Sequence, residues 1–275
     1  MAKEAKADYK ISINRACRLL NTSKCVYYYK HKLCDDSEIK KELALLVKKY
    51  PRRGFKKFYD ELRLKEKGWN HKRVYRIYCE MGLNLRKKPK KRLLSREAKQ
   101  LVQPVAANEC WSMDFMSDAT ADGRKLRTFN VIDDFNREAL AIRISRSLPA
   151  LRIIEILDEI ALWRGYPKKI RTDNGPEFLA KEFIEWTKKH CVKLQHIQPG
   201  KPAQNGYIER FNRTYREEVL DMYLFENLNE VEKITAEWMI DYNNYRPHEA
   251  LQNMPPKMFA KNKAGSPACL NKFLF

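Results

Sequence analysis

The sequence predicts an α/β protein in which a mixed five-stranded sheet with packed helices follows an all-α helix-turn-helix region. Beyond Cys110, short runs rich in apolar, aromatic and β-branched residues give way to alternating helical and strand patterns in the order βββ-α-β-α-β-α. Ahead of residue 100 the apolar spacing is helical. The charge divides at the same place: residues 1–100 hold 30 basic and 11 acidic residues, and residues 101–275 hold 25 and 24.

A chain of 275 residues with 44% hydrophobic and 11% aromatic content is long enough for a full core and too apolar to be largely disordered. No stretch approaches the roughly 18 consecutive apolar residues of a membrane helix. A polycationic half joined to a balanced half favours nucleic-acid binding coupled to a second activity; a soluble protein with a basic tail and a ribosome-associated factor are the blander alternatives. Seven scattered cysteines, an odd number without a C-x-x-C pair, point to reduced thiols. The start, MAKEAKADYK, lacks the apolar core of a secretory signal, and the protein is read as intracellular.

Residues 1–34 form the first segment. Ile13, Ala16, Cys17, Leu19 and Leu20 share a helical face, Asn21-Thr22-Ser23 reads as a turn and new N-cap, and Val26 with three tyrosines follows. Two short helices across a tight polar turn make a helix-turn-helix, with Lys24, Lys30 and Lys32 placed to meet DNA. Residues 35–92 read as a basic helical DNA-binding domain with helices over 37–50, 55–65 and 71–81, the last capped by Asn70. Its outer face is expected to carry Arg52, Arg53, Lys56, Lys57, Lys72, Arg73 and Arg76, before the run RKKPKKR at 86–92. Residues 93–107 read as a linker and 108–265 as the core with a C-terminal helix.

Within the core, strands are expected over 111–119, 126–135 and 139–145, a helix over 150–163, a strand over 168–173, a helix over 179–191, a strand over 193–198 and a helix after the Pro-Gly-Lys-Pro turn. The segment QPGKPAQNG (198–206) reads as a mobile loop. On the last helix, Ile208, Phe211, Tyr215 and Val219 form a buried stripe. Asn205, Glu209, Asn212, Arg213 and Arg216 take the adjoining polar face, with an i,i+4 pair from Glu209 to Arg213 as its plain reading.

Three acids stand out: Asp114 in the first strand, Asp173 at the end of the fourth and Glu209 on that helix, with gaps of 58 and 35 residues. If the first and fourth strands are neighbours the three can converge, and carboxylates so close need a cation; hard oxygen ligands suit Mg2+ or Mn2+. Two such ions serve in-line phosphoryl displacement, by water in hydrolysis or by a DNA 3′-hydroxyl in joining, and the spacing does not choose between them. Asp118, Asp122, Asp133, Asp134 and Glu177 are acids of the same type that could be mistaken for site residues.

The strings WSMDF, RTDNGPEF, PAQNGYIERFNRTYREEV and YNNYRPHEAL resemble the retroviral-integrase-like DDE transposases, most closely the second-reading-frame (OrfB) proteins of the insertion-sequence-three type. The resemblance spans roughly residues 10–260, and PRRGFKKFYDEL with NHKRVYRIYCEMGL is similar to the helix-turn-helix region ahead of the core in that group. It implies a ribonuclease H-like integrase catalytic core in which Asp114, Asp173 and Glu209 match the catalytic, magnesium-binding triad. Implied too are cleavage at the ends of a mobile element and transfer of its 3′-hydroxyl into target DNA. Asn174 and Gly175 match the turn after the second aspartate, Arg216 matches a basic position that contacts element ends, and Arg213 lies beside it. The group acts in the bacterial cytoplasm, as a homo-oligomer on DNA and in some members fused to an upstream-frame (OrfA) protein. The lack of a sustained heptad repeat here is what an unfused downstream product would show. Unlike retroviral integrases, the chain shows no metal-ligand spacing between His31, His71, His190, His196 or His248 and the cysteines, and no zinc is expected. The rivals are a non-joining nuclease of the same fold, a DNA-binding regulator without catalysis and, disfavoured by the basic half, a glycosidase.

Overall fold

The computed structural model describes residues 9–29, 35–85, 101, 103–198 and 202–264. The chain divides into two compact units, residues 1–42 and 43–275.

In the first unit, α1 (Ile13–Leu19) and α2 (Lys24–Tyr28) each begin at a serine N-cap: the Ser12 hydroxyl accepts from the Arg15 amide and the Ser23 hydroxyl from the Val26 amide. Ala16 and Cys17 are buried. The two expected helices and their polar turn are present; Lys30 and Lys32 lie outside the described residues.

The second unit begins within α3 (Ser37–Lys49). Next come α4 (Phe55–Leu64) and α5 (His71–Glu80), the latter capped by Asn70, whose side chain accepts from the Lys72 amide. Phe58 and Leu62 of α4 and Val74, Ile77 and Tyr78 of α5 are buried, and Phe55 and Phe58 lie 5.2 and 6.3 Å from the Tyr78 ring.

The sheet has the order β3-β2-β1-β4-β5. Strands β1 (Trp111–Ala119), β2 (Lys125–Asp133) and β3 (Ala139–Ser145) form an antiparallel meander; β4 (Lys169–Thr172) and β5 (Lys193–His196) run parallel to β1. The expected mixed five-stranded sheet is thus present. Two cores sandwich it. On one face Trp111, Met113, Phe129 and Val131 pack with Ile153, Ile156 and Ile160 of α6 (Ala150–Arg164) and Phe183 and Trp186 of α8 (Lys181–Lys189). On the other, Met116, Leu126, Ile132 and Ile142 pack with Ile208, Phe211 and Tyr215 of α9 (Gly206–Tyr215) and Val231, Trp238 and Tyr242 of α10 (Leu228–Asn244). The period of two in β1 and β2 decides which residues meet α9: with Trp111 and Met113 turned to the first core, Asp114 turns to the second face, as does its register partner Asn130.

Two elements differ from the sequence expectation. The helix expected over 179–191 is α8, which starts only at Lys181 because Ala180 is extended (φ −62°, ψ 141°), and a separate short helix, α7 (Pro176–Leu179), precedes it. The 17-residue α10 was not anticipated, although Val231, Thr235, Trp238 and Tyr242 repeat at helical spacing behind the N-cap Asn227. The loop expected over 198–206 lies partly outside the described residues; Pro202–Asn205 form a 3₁₀ turn. A final helix, α11, spans Pro256–Ala264.

Candidate active site

Asp114 and Asp173 stand on neighbouring parallel strands. Ser112 of β1 is in register with Arg171 of β4, so two residues further along Asp114 comes opposite Asp173, just beyond the end of β4. Asp114 Oδ1 accepts from the Phe115 amide at 2.9 Å and Oδ2 from Asn212 Nδ2 at 2.8 Å; Asn212 in turn accepts from Asn130 Nδ2 at 2.7 Å. A relay of two buried asparagines thus ties β2 and α9 to the carboxylate. Burial raises the Asp114 carboxyl to about 6; the charges of Asp173 and Glu209 raise it too, and the Phe115 amide and Asn212 pull the other way.

Asp173 is set by a tight turn in which its Oδ1 accepts from the Gly175 amide at 3.0 Å. A Cβ at Gly175 would stand 3.1 Å from Asp173 Oδ1 and 3.3 Å from Glu177 Oε2, so glycine is what lets this turn close over two carboxylates. His196 Nδ1 lies 3.1 Å from the Asp173 carbonyl oxygen and 3.2 Å from Thr172 Oγ1, bracing the end of β4. Glu209, on α9 three residues before Asn212, is exposed and borders a cleft of 1140 Å³ lined by α4, α5, α9 and the 246–250 turn.

The five acids that could be mistaken for site residues behave differently. Asp133 pairs with Arg164 (2.8 Å), Asp134 with Arg171 (2.8 Å), Glu177 with Arg127 (2.6 Å), Asp118 with Arg216 (3.1 Å) and Asp122 with Arg124 (3.1 Å). Among the described residues Asp114, Asp173 and Glu209 have no cationic partner, and the Glu209–Arg213 pair expected on the helix does not form. Among the described residues no group of three or more His, Cys, Asp or Glu side chains is set to hold a metal ion as it stands. The donor chemistry nonetheless fits a hard divalent cation: all-carboxylate oxygen, no cationic neutraliser, and mutual repulsion that opposes ionisation of Asp114.

The basic residues divide as well. Lys72 and Arg76 are exposed on α5, where Arg76 pairs with Glu80 (3.3 Å), and Arg73 is half-buried. Arg52 pairs with Asp221 at 3.6 Å and the exposed Lys56 with Glu249. Arg53 corrects the sequence reading: it is 2% exposed, on no outer face. Its guanidinium lies 3.5 Å from the Tyr50 ring centroid and pairs with Asp241 (2.6 Å), Glu218 (3.5 Å) and Glu61 (3.6 Å). A buried guanidinium requires such partners and is held by them. Lys57 is half-buried rather than outward. Asn174 is exposed and donates to the Ile197 carbonyl at 3.2 Å; Arg213 is exposed; Arg216 holds Asp118 and the Ser117 carbonyl. Sequence reasoning missed Asn130 as a site residue; an asparagine inside an apolar strand run was the available signal.

Fold and site together define a protein of the integrase-core class. The integrase core domain family matches residues 104–202, a second integrase core domain family matches 190–256, and an HTH-like domain matches 35–92. The uncharacterized 31.7 kDa protein of insertion element IS407 from Burkholderia multivorans is 39% identical over 260 residues, 94% of each chain. A 39.2 kDa protein of insertion element IS476 from Xanthomonas euvesicatoria is 36% identical over 92% of this chain and 73% of its own. The transposase InsD for insertion element IS2D of Escherichia coli is 23% identical over 84% of this chain and 80% of its own. The chain therefore belongs to the insertion-element transposase family in which an HTH-like domain precedes an integrase core. Among solved structures, the catalytic core domain of HTLV-2 integrase in complex with magnesium aligns with 56% of this chain and 97% of its own, at 19% identity and a TM-score of 0.47. No helix among the described residues is long and apolar enough to cross a membrane.

Proposed function

We propose that the chain is an active transposase that cleaves DNA at the ends of its insertion element and joins the freed 3′-hydroxyl to target DNA. Asp114, Asp173 and Glu209 act as its catalytic carboxylates. The observation that carries this reading is that, among the described residues, these three acids have no cationic partner where the five acids most like them in sequence each have an arginine. An uncompensated carboxylate set costs stability, and a site for a hard cation is the use that offsets the cost.

The three carboxylates would hold Mg2+ or Mn2+, two ions per site, and no zinc is involved. When bound, these ions supply Lewis-acid activation of an attacking oxygen and stabilise the leaving one. The chain's own contribution is positional. Asn212 fixes the direction of the Asp114 carboxylate, and the Gly175 amide fixes that of Asp173. Glu209 is left exposed at the cleft for the last donation.

In the first step a water oxygen attacks the phosphodiester at the element end, a P–O bond forms, and the bond to the element's 3′-oxygen breaks, which leaves a 3′-hydroxyl. In the second step the oxygen of that hydroxyl attacks a target phosphodiester, a P–O bond forms, and the bond to the target strand's 3′-oxygen breaks; that oxygen takes up the proton and leaves as a 3′-hydroxyl. One P–O bond replaces another, so no external energy source is needed. Lys72, Arg73 and Arg76 of α5, with Arg52 and Lys56, would track element-end phosphates, and Asn174, Arg213 and Arg216 would contact DNA beside the acids. Two ends must be brought together, so the working form is a homo-oligomer in the bacterial cytoplasm, with an upstream-frame protein as a possible further partner.

The test is a magnesium-dependent strand-transfer assay with a labelled duplex from the element's terminus and plasmid target, beside a Glu209→Gln control. Joined product lost in the control supports the proposal. Cleavage without joining makes the protein a nuclease, and binding without either makes it a regulator.

A further inference from the structure

The cleft beside Glu209 carries more positive charge and more unanswered donors than the catalytic reading uses. It lies between α4 and α5 on one side and α9 and the Arg246–Pro247–His248 turn on the other. Two buried polar atoms on its walls have no hydrogen-bond partner: Arg137 Nη1 and His248 Nε2. A buried polar atom without a partner costs free energy, and these two face a cleft from which a ligand can reach them.

Both groups are held in place. Arg137 sits at φ 59°, in the left-handed region, with its guanidinium 3.3 Å from the Tyr207 ring centroid. His248 packs edge-on against Tyr242, ring centroids 4.7 Å apart. Burial, then the charges of Arg246, Lys57, Arg53 and Arg137, hold the His248 imidazole well below its ordinary range, so it is neutral, and in the tautomer with the proton on Nε2 it offers the cleft one N–H. Lys57 projects into the same cleft, where its ammonium donates to the Pro247 carbonyl at 3.4 Å and pairs with no carboxylate. Burial, with Arg246 next, brings it down to about 7. Arg210, exposed on α9, adds a third cation without an ion pair among the described residues, and its charge acts on Lys57. Arg246 is spent on Glu218 at 2.8 Å, and Lys56 on Glu249.

We infer that this cleft is a phosphate subsite for DNA, in which Lys57, Arg137, Arg210 and the His248 ring N–H hold one backbone phosphate adjoining the phosphodiester presented to Glu209. A phosphate diester supplies what the cleft lacks: one negative charge for the desolvated lysine and several acceptor lone pairs for the orphaned donors. DNA is the source because Glu209 borders the same cavity and α4 and α5 of the HTH-like region form its other wall. The inference rests on the DNA-processing reading above.

The experiment measures binding of the full chain to a fluorescent duplex bearing the element's terminus, with a single neutral methylphosphonate placed at each linkage across the cleavage position in turn. One linkage next to the cleavage point is expected to weaken binding by about tenfold when neutralised, the scale of a lost charge-assisted contact. In Arg137→Gln, and independently in Lys57→Gln, binding to unmodified duplex starts weaker by a similar factor, and neutralising that same linkage then has little further effect. A penalty of equal size in wild type and both variants overturns the subsite, as does the absence of any sensitive linkage. No binding of the unmodified duplex by the wild-type chain overturns the DNA reading itself. The two variants differ in burial, so a folding defect in Arg137→Gln leaves Lys57→Gln to decide.

Discussion

Asn212 donates to Asp114 across 2.8 Å while accepting from Asn130 at 2.7 Å, so a helix and two strands converge on one carboxylate oxygen. Neither asparagine carries a charge to offset that of Asp114. The contact orients the acid and leaves its repulsion with Asp173 and Glu209 standing.

The burial of Asp114, with that repulsion added, has a measurable cost. The Asp114 carboxyl sits at about 6 in the folded chain against 3.8 unperturbed. The folded state is favoured below pH 3.8 and loses that advantage as the pH rises to 6, which amounts to about 1–3 kcal/mol at pH 7. Asp114→Asn, measured without divalent ions, should therefore melt higher than wild type at pH 7, with the gap closing at pH 4. Asp118→Asn, which breaks a pair with Arg216, should show no such gain. Equal differences at both pH values for Asp114→Asn would contradict the account.

Arg53 is a structural cation. Arg53→Ala leaves Asp241, Glu218 and Glu61 short of a buried partner and should cost about 3–5 kcal/mol in denaturant unfolding. The exposed Lys72 and Arg76 should behave in the opposite way: their neutralisation barely moves stability and lowers the salt slope of DNA binding by about 0.9 per lost phosphate contact.

Glu218 gives the fold an acid limit. Burial alone would raise it, but Arg246 and Arg53, with hydrogen bonds from Arg246 and Trp238, hold it at about 2 against 4.5 unperturbed. Its contribution is complete above pH 4.5 and is lost as the pH falls toward 2, about 3 kcal/mol in all. Stability measured by urea unfolding should decline through that window in wild type and stay flatter in Glu218→Gln, which starts lower at pH 7 because two arginines lose their partner.

The strands were legible because a sheet covered on both faces is built from runs of apolar, aromatic and β-branched residues between turn signals: 111–119 and 139–145 are strands as expected. The pairing of β1 with β4, which stood in the sequence only as a condition for the three acids to converge, is present. Composition could not separate Arg53 from its exposed neighbours, since its partners Glu218 and Asp241 lie 165 and 188 residues away. For the same reason the arginines beside Asp118, Asp133, Asp134 and Glu177 were invisible, and so were the unpartnered atoms of Arg137 and His248. The break at Ala180 had no glycine or proline to announce it, and α10 had a clear apolar stripe that was passed over.

The central claim is that the unpaired acids are catalytic and the arginine-paired acids structural. The measurement that tests it most directly is single-turnover joining in magnesium for Asp114→Asn, Asp173→Asn and Glu209→Gln beside Asp118→Asn, Asp122→Asn and Glu177→Gln, each at a temperature where the variant is folded. The account predicts losses of at least about a thousandfold in the first three, on the order of 4 kcal/mol of transition-state stabilisation, and less than about tenfold in the others. Full joining by any of the first three, or a thousandfold loss in a folded variant of the paired acids, would contradict it.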